Sequence, residues 1–262
     1  MQTLWYSSCM KVFVVSNQKG GIGKSTTAHA LGAYSALKEG KRTLFVDLDA
    51  QGNLTQSLGL KATTPSSYDV LIEPTNLRKS ILEVNTLGVS AIPSSPLLSR
   101  ATLDFTEVGK EYRLKEALEV IKNDYDVVVI DTPPALSILT INALTAADSL
   151  IIPVQADLFS IEAVKEMAGT IATVRKYTNH NLKIEGLLLC RYQGRSILSR
   201  NCADSFEVLA GNLGTKLFKT KIRESIAIKE AQALSQDIFS YSPKSNGAKD
   251  YELFCKEVFN EG

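Results

Sequence analysis

No stretch of this 262-residue chain stays apolar for the roughly 18 to 20 residues that a membrane-spanning helix needs, which excludes such a span. An excess of one charge is also missing. Lys and Arg number 29 against 28 Asp and Glu, a net of +1, so any attraction to a polyanion must come from a local patch. Cysteine is scarce, and Cys9, Cys190, Cys202 and Cys255 never fall at C-x-x-C spacing. That excludes a cysteine-built metal cluster and suits buried thiols in a reducing compartment. The two histidines, His29 and His180, are far apart and give no ligand pair. Internal repeats, low-complexity tracts and long Pro/Gly/Ser linkers are absent, so one domain is expected over residues 11–262, behind a loose leader at 1–10. That leader has neither the basic end nor the apolar run of a signal peptide, and a cytoplasmic protein is expected.

What is present is an alternation of short apolar runs with longer helical patterns. Residues 11–16, 43–47, 89–93, 127–131, 149–154 and 184–190 read as strands, and 24–38, 112–122, 138–147, 160–177, 198–210 and 247–259 as helices. The strands are continuously apolar rather than alternating, so both faces must be covered. The expected fold is α/β: a doubly wound, mostly parallel sheet with helices on both faces. Residues 63–80 are the least regular stretch and the hardest to bound.

The first strand runs into Asn17-Gln18-Lys19-Gly20-Gly21-Ile22-Gly23-Lys24-Ser25-Thr26 and then a helix, the strand–loop–helix setting of a phosphate-binding P-loop. Glycines at 20, 21 and 23 let successive backbone N–H groups turn toward one anion, and the helix adds the positive end of its dipole. In this reading the cradle comprises Gly20, Gly21, Ile22, Gly23, Lys24, Ser25 and Thr26. Lys24 reaches the β- and γ-phosphates, the Ser25 hydroxyl takes a position on Mg²⁺, and Thr26 reaches the α-phosphate. The second strand ends in Asp47-Leu48-Asp49, two carboxylates on one face at the sheet's carboxyl edge, where doubly wound sheets bind ligands. One is expected in the Mg²⁺ shell and the other on the attacking water, although two capping aspartates at a strand end would leave the same spacing. Residues 125–134 form an apolar strand closed by Asp131, which is expected to hold Mg²⁺. Guanine-reading P-loops carry N-K-x-D, and no Asn-Lys dipeptide occurs in the chain, so ATP is favoured over GTP.

The K-G-G-x-G-K-S loop with its second lysine, D-L-D-A-Q-G-N at 47–53 and D-T-P-P at 131–134 together resemble the deviant Walker A ATPases of the MinD/ParA superfamily, and most closely the ParA/Soj partition ATPases. The match runs from Lys11 to about Val258. The ordinary P-loop has glycine where Asn17 or Gln18 stands, and its loss belongs to the deviant form; departures from the family pattern are Ala50 for a proline, Ser137 for a glycine and Gln193 for an aspartate. The resemblance makes Asp49 the residue needed for hydrolysis and places Asp47 near the metal. It sends Lys19 across a homodimer interface to the partner's nucleotide, and puts adenine contacts near Arg191, Ile222 and Arg223. The partners it implies are nonspecific double-stranded DNA and a ParB-like centromere-binding protein that stimulates hydrolysis.

Residues 191–223 carry seven bases and two acids, a net of +5 in a nearly neutral chain. A patch of this kind binds duplex phosphates without reading sequence, though a solvated basic face would have the same composition. By resemblance Arg195 and Arg223 belong to it, and we add Arg200 on charge alone. Two other readings stand beside this one. A MinD-like membrane ATPase should end in a basic amphipathic helix, whereas residues 251–262 hold three acids and one lysine. A nucleotide-gated scaffold would need the cradle but not turnover.

Overall fold

The computed structural model describes residues 10–194 and 196–260; the expected leader, apart from Met10, and Arg195 lie outside the described residues. Seven strands form one sheet: β1 (Lys11–Val15), β2 (Thr43–Asp47), β3 (Leu82–Val84), β4 (Val89–Ile92), β5 (Val127–Asp131), β6 (Ser149–Val154) and β7 (Lys183–Leu189). Their spatial order is β3-β4-β2-β5-β1-β6-β7, parallel throughout except for the edge pair β3–β4. The chain leaves β1 for β2 on one side and later returns to β1's other side with β6, so β1 borders the switch point at which doubly wound sheets open a crevice.

The helices are α1 (Lys24–Leu37), α2 (Asn53–Ser57), α3 (Ser67–Ile72), α4 (Leu77–Ser80), α5 (Ala101–Asp104), α6 (Arg113–Glu119), α7 (Ile138–Ala146), α8 (Leu158–Tyr177), α9 (Ile197–Asn212), α10 (Ile226–Ala233), α11 (Ile238–Tyr241) and α12 (Asn246–Phe259). The two faces of the sheet divide the strand residues by alternation. Val12, Val14, Leu44, Val46, Val128 and Ile130 point into a core closed by α6 to α9. Phe13, Val15, Phe45, Val127 and Val129 point the other way, onto α1 and α12. This is why the central strands are apolar at every position: each residue is inside on one face or the other.

The expected strands and long helices are found within two residues of their ends, except that the helix expected at 112–122 is α6 (Arg113–Glu119), which stops three residues early. The short elements were not anticipated. In residues 63–80 the chain forms α3 and α4, with Ser66 and Asp69 making a reciprocal cap at the start of α3. Strand β3 has three residues, too few for a periodic signal, and it is held only at the edge by the Leu82↔Ala91 register.

α12 lays Tyr251, Phe254, Cys255 and Val258 into the core beside α1, so its apolar face is used inside the fold. Among the described residues no helix is long and apolar enough to cross a membrane.

Candidate active site

Three strand ends meet at the carboxyl edge. Val15 is in register with Asp131, and Asp131 with Asp47, on adjacent parallel strands. The loop after β1 is pinned by Asn17, whose side-chain amide donates to the Pro153 carbonyl at 2.7 Å and whose Oδ1 accepts the Lys19 N–H. The asparagine that departs from the usual glycine thus ties the loop to β6. Gly21 (φ 72°) and Gly23 (φ 96°) take left-handed conformations that a side chain would strain. Gly23 is also the N-cap of α1, which has no side-chain cap and no acid in its first turn, so the first N–H groups face the cleft uncompensated.

That cleft has a volume of about 560 Å³ and is lined by Gly20, Gly21, Gly23, Lys24, Ser25 and Thr26, by Asp49, and from the far side by Ile222 and Arg223. The structure therefore brings together the cradle and two residues 196 to 203 positions further along the chain. Ile22, expected in the cradle, is fully buried and is not among the residues that line the cleft. Lys24 is buried, with Nζ donating to the Lys19 carbonyl at 2.9 Å. Burial lowers its pKa, against the pull of Asp131 and Asp49, so the ammonium is held in place by charges lining the site.

The three carboxylates differ in how far they are already engaged. Asp47 accepts the N–H and hydroxyl of Thr55 on Oδ2, at 2.8 and 2.7 Å, and the Asp49 N–H on Oδ1. Burial still pushes its carboxyl up to about 6. In this state Asp47 anchors α2 and the loop that carries Asp49, a role in which the capping alternative also survives. Asp49 accepts the Gln51 N–H and lines the cleft. Asp131 is wholly buried; its Oδ1 accepts the Thr132 N–H, and Oδ2 has no hydrogen-bond partner among the described residues. Burial raises its pKa well above the carboxylate range, with Asp47 adding to the shift and the nearby Ser25 hydroxyl and Lys24 opposing it. A buried, unpartnered carboxylate oxygen beside a serine hydroxyl and a second acid is a donor set that fits a hard divalent cation.

Lys19 does not line the cleft. Its ammonium pairs with Asp157 at 2.6 Å and reaches the Ser160 hydroxyl at 3.2 Å. Asp157 in turn caps α8 through the Ser160 N–H, so the second lysine of the loop is turned outward onto a helix start.

Several lining residues had no signal in the sequence. Gln232 on α10 donates to the Thr26 hydroxyl at 2.9 Å, and Cys190, Ile228 and Tyr251 form the inner wall. The Tyr251 hydroxyl lies 3.2 Å from that of Thr27, and burial pushes the Cys190 thiol up to about 12, leaving it an inert wall group. These residues lie in separate elements with no common motif, and only folding collects them.

The two basic segments are joined, since Tyr192 bridges to Arg223 and its N–H donates to the Ile222 carbonyl. Acids from outside the sequence window also fold onto the patch. Asp250 takes the Arg223 guanidinium in a bidentate pair, with a shortest distance of 2.6 Å, and Glu224 pairs with Arg191. The patch is thus less positive than its sequence window implies. Arg200 is exposed on α9, and its guanidinium donates only to the Gly194 carbonyl among the described residues.

Fold and cradle together define a P-loop ATPase of the deviant Walker A class. The AAA domain model AAA_31 matches residues 10–184. The chain is 37% identical over 255 residues to the sporulation initiation inhibitor protein Soj of Bacillus subtilis, covering 96% of this chain and 99% of that one. It is 38% identical over 244 residues to the chromosome-partitioning ATPase Soj of Thermus thermophilus, covering 93% of each. Among solved structures it is similar to apo McdA from Cyanothece (TM-score 0.85, 26% identity, 95% of this chain and 99% of that one). It is also similar to a Mycobacterium smegmatis protein described as cobyrinic acid a,c-diamide synthase with bound ADP and magnesium (TM-score 0.82, 32% identity, 96% and 95%). The chain belongs to the ParA/Soj family of partition ATPases.

Proposed function

We propose that this protein is an ATP-driven DNA-partition ATPase that closes into a homodimer on ATP, binds duplex DNA nonspecifically, and releases it on hydrolysis stimulated by a ParB-like partner. The observation that carries this reading is the opposite setting of the two loop lysines: Lys24 is buried among the site's carboxylates, while Lys19 is turned out of its own cleft onto Asp157. A lysine that serves its own nucleotide has no reason to face outward, whereas one that serves a partner's must do so.

Gly20 to Thr26 hold the triphosphate through backbone N–H groups and the Ser25 and Thr26 hydroxyls, and Lys24 answers its charge. Ser25 and Asp131 hold Mg²⁺, with Asp47 behind them. The ion supplies neutralisation of charge spread over the phosphoryl oxygens. Asp49, on a loop fixed by Asp47 and Thr55, orients the attacking water. Lys19, once freed from Asp157, neutralises the partner site in trans. Ile222 and Arg223 flank the base. Arg200, Arg223 and Arg195 contribute to the DNA face, on a cytoplasmic protein that is nucleoid-associated in its ATP-bound state. The apolar face of α12 is buried in the core, which leaves that helix no apolar side to lay on lipid.

The test is binding of purified protein to a nonspecific duplex with ATP, ADP or no nucleotide, over a range of salt concentrations and with Lys24→Ala. The proposal expects binding that needs ATP, weakens steeply with salt and disappears in the variant. Binding independent of nucleotide overturns it. Asp49→Ala separates the cycle from a scaffold without turnover: ATP-dependent DNA binding should persist while hydrolysis is lost.

A further inference from the structure

A second cavity, of about 260 Å³, adjoins the end of α2 at Ser57 and Leu58. Its wall combines Leu58, Val84 and Leu87 with His29, Asp237 and Ser240. His29 is 95% buried on α1, stands edge-on to Phe45, and makes no hydrogen bond to any described residue. Asp237 spends Oδ1 on capping α11 through the Phe239 and Ser240 N–H groups, while Oδ2 has no hydrogen-bond partner among the described residues. Burial lowers the His29 pKa to about 4 against the pull of Asp237, so the imidazole lines the cavity uncharged at neutral pH. Asp237 is then the one charged group in the lining.

The His29 ring and the second Asp237 oxygen open into this cavity without a hydrogen bond to a described residue, so both can take N–H donors from an occupant, and a net negative lining asks for a cation. The apolar wall asks for a short carbon stem, and the volume limits the occupant to about the size of one long side chain. We propose that this cavity binds an alkylammonium or alkylguanidinium group, held by Asp237 and His29 with its stem against Leu58, Val84 and Leu87. The occupant would bear on the catalytic loop. Ser57 lines both cavities, and Ser235, held in a left-handed conformation (φ 52°) at the rim, donates to the Gln56 carbonyl of α2. This site is independent of the partition reading, since neither ATP nor DNA enters its test.

Because the chain has two histidines, ¹³C-histidine labelling yields two ring signals, from His29 and His180. Titration with n-butylguanidinium chloride, and separately with an acetylated, amidated Gly-Arg-Gly peptide, should move the His29 signal saturably and leave that of His180 unmoved. Asp237→Asn keeps the capping oxygen and should weaken the effect roughly tenfold or more. Ser240→Trp, at an exposed position, should block it. A response to the free guanidinium supports a small-molecule occupant, and a response to the peptide alone supports a partner's arginine. A His29 signal that does not move, that moves equally with sodium chloride at matched ionic strength, or that responds undiminished in Asp237→Asn overturns the proposal.

Discussion

Asp131→Asn should make the protein more stable while disabling its site. Asp131 is wholly buried with one oxygen unpartnered, and it lies in register with a second buried acid, Asp47. Its folded-state pKa lies well above its unfolded value. The folded protein therefore holds this proton more tightly than the unfolded chain, and the stability associated with it is present at low pH. That stability is lost as pH rises from about 4, the unfolded value, through the raised folded value. Above that window the parent carries a buried charge that Ser25 and Lys24 answer only in part, and its unpartnered oxygen costs about 1–3 kcal/mol. Relief of about 2 kcal/mol corresponds to a rise of about 4–8 °C in Tm for a domain of this size. The assay is differential scanning calorimetry without nucleotide at pH 5 and pH 8, together with the shift in Tm on adding Mg²⁺ and ATP. The variant should melt higher than the parent at pH 8, by a smaller margin at pH 5, and gain little from Mg²⁺ and ATP. A variant less stable than the parent at pH 8, or an equal difference at both pH values, would refute the reasoning.

Three further outcomes are expected. Lys19→Ala removes a partly exposed ion pair (26% and 30% side-chain exposure) and should change stability by no more than about 1 kcal/mol, while stimulated ATP turnover falls on the order of 10³-fold; parental turnover would remove its role in trans. Thr55→Val takes a hydroxyl from Asp47 Oδ2 and the acceptor from the Ser94 N–H, and should cost about 2–4 kcal/mol in chemical denaturation, with Thr55→Ser largely restoring it. Gly32→Ala on α1 would drive a β-carbon into the Phe45 ring and should cost about 1–3 kcal/mol, read as a lower Tm, although alanine is the better helix former.

Much of the site could be read without coordinates because its chemistry is local. Residues 17–26 specify a strand end, a turn that needs positive φ at Gly21 and Gly23, and a helix start, and each demand is met by neighbours in the chain. Asp47 and Asp131 were legible because each closes a continuously apolar strand, and a parallel sheet brings such ends to one edge. The central strands and long helices were legible for the same reason, since burial on both faces leaves an unbroken apolar run.

What the sequence left open concerns contacts between distant segments and elements too short to show a period. The α10 residues over the cleft, the Asp250 carboxylate that answers Arg223, and the pairing of Lys19 with Asp157 join positions 27 to 206 residues apart, and nothing in the local pattern of either partner names the other. The assignment of Asp47 was open for a related reason. Two acids at a strand end can hold a metal or cap a loop, and the choice depends on where Thr55 falls after the chain turns. The sequence by itself determined the phosphate chemistry and the doubly wound sheet, because both rest on backbone conformation and burial that adjacent residues dictate. Only the tertiary structure decided which carboxylate oxygen is left unpartnered, which way Lys19 faces and how much of the basic patch remains positive, because each depends on which side chains meet once the chain is closed.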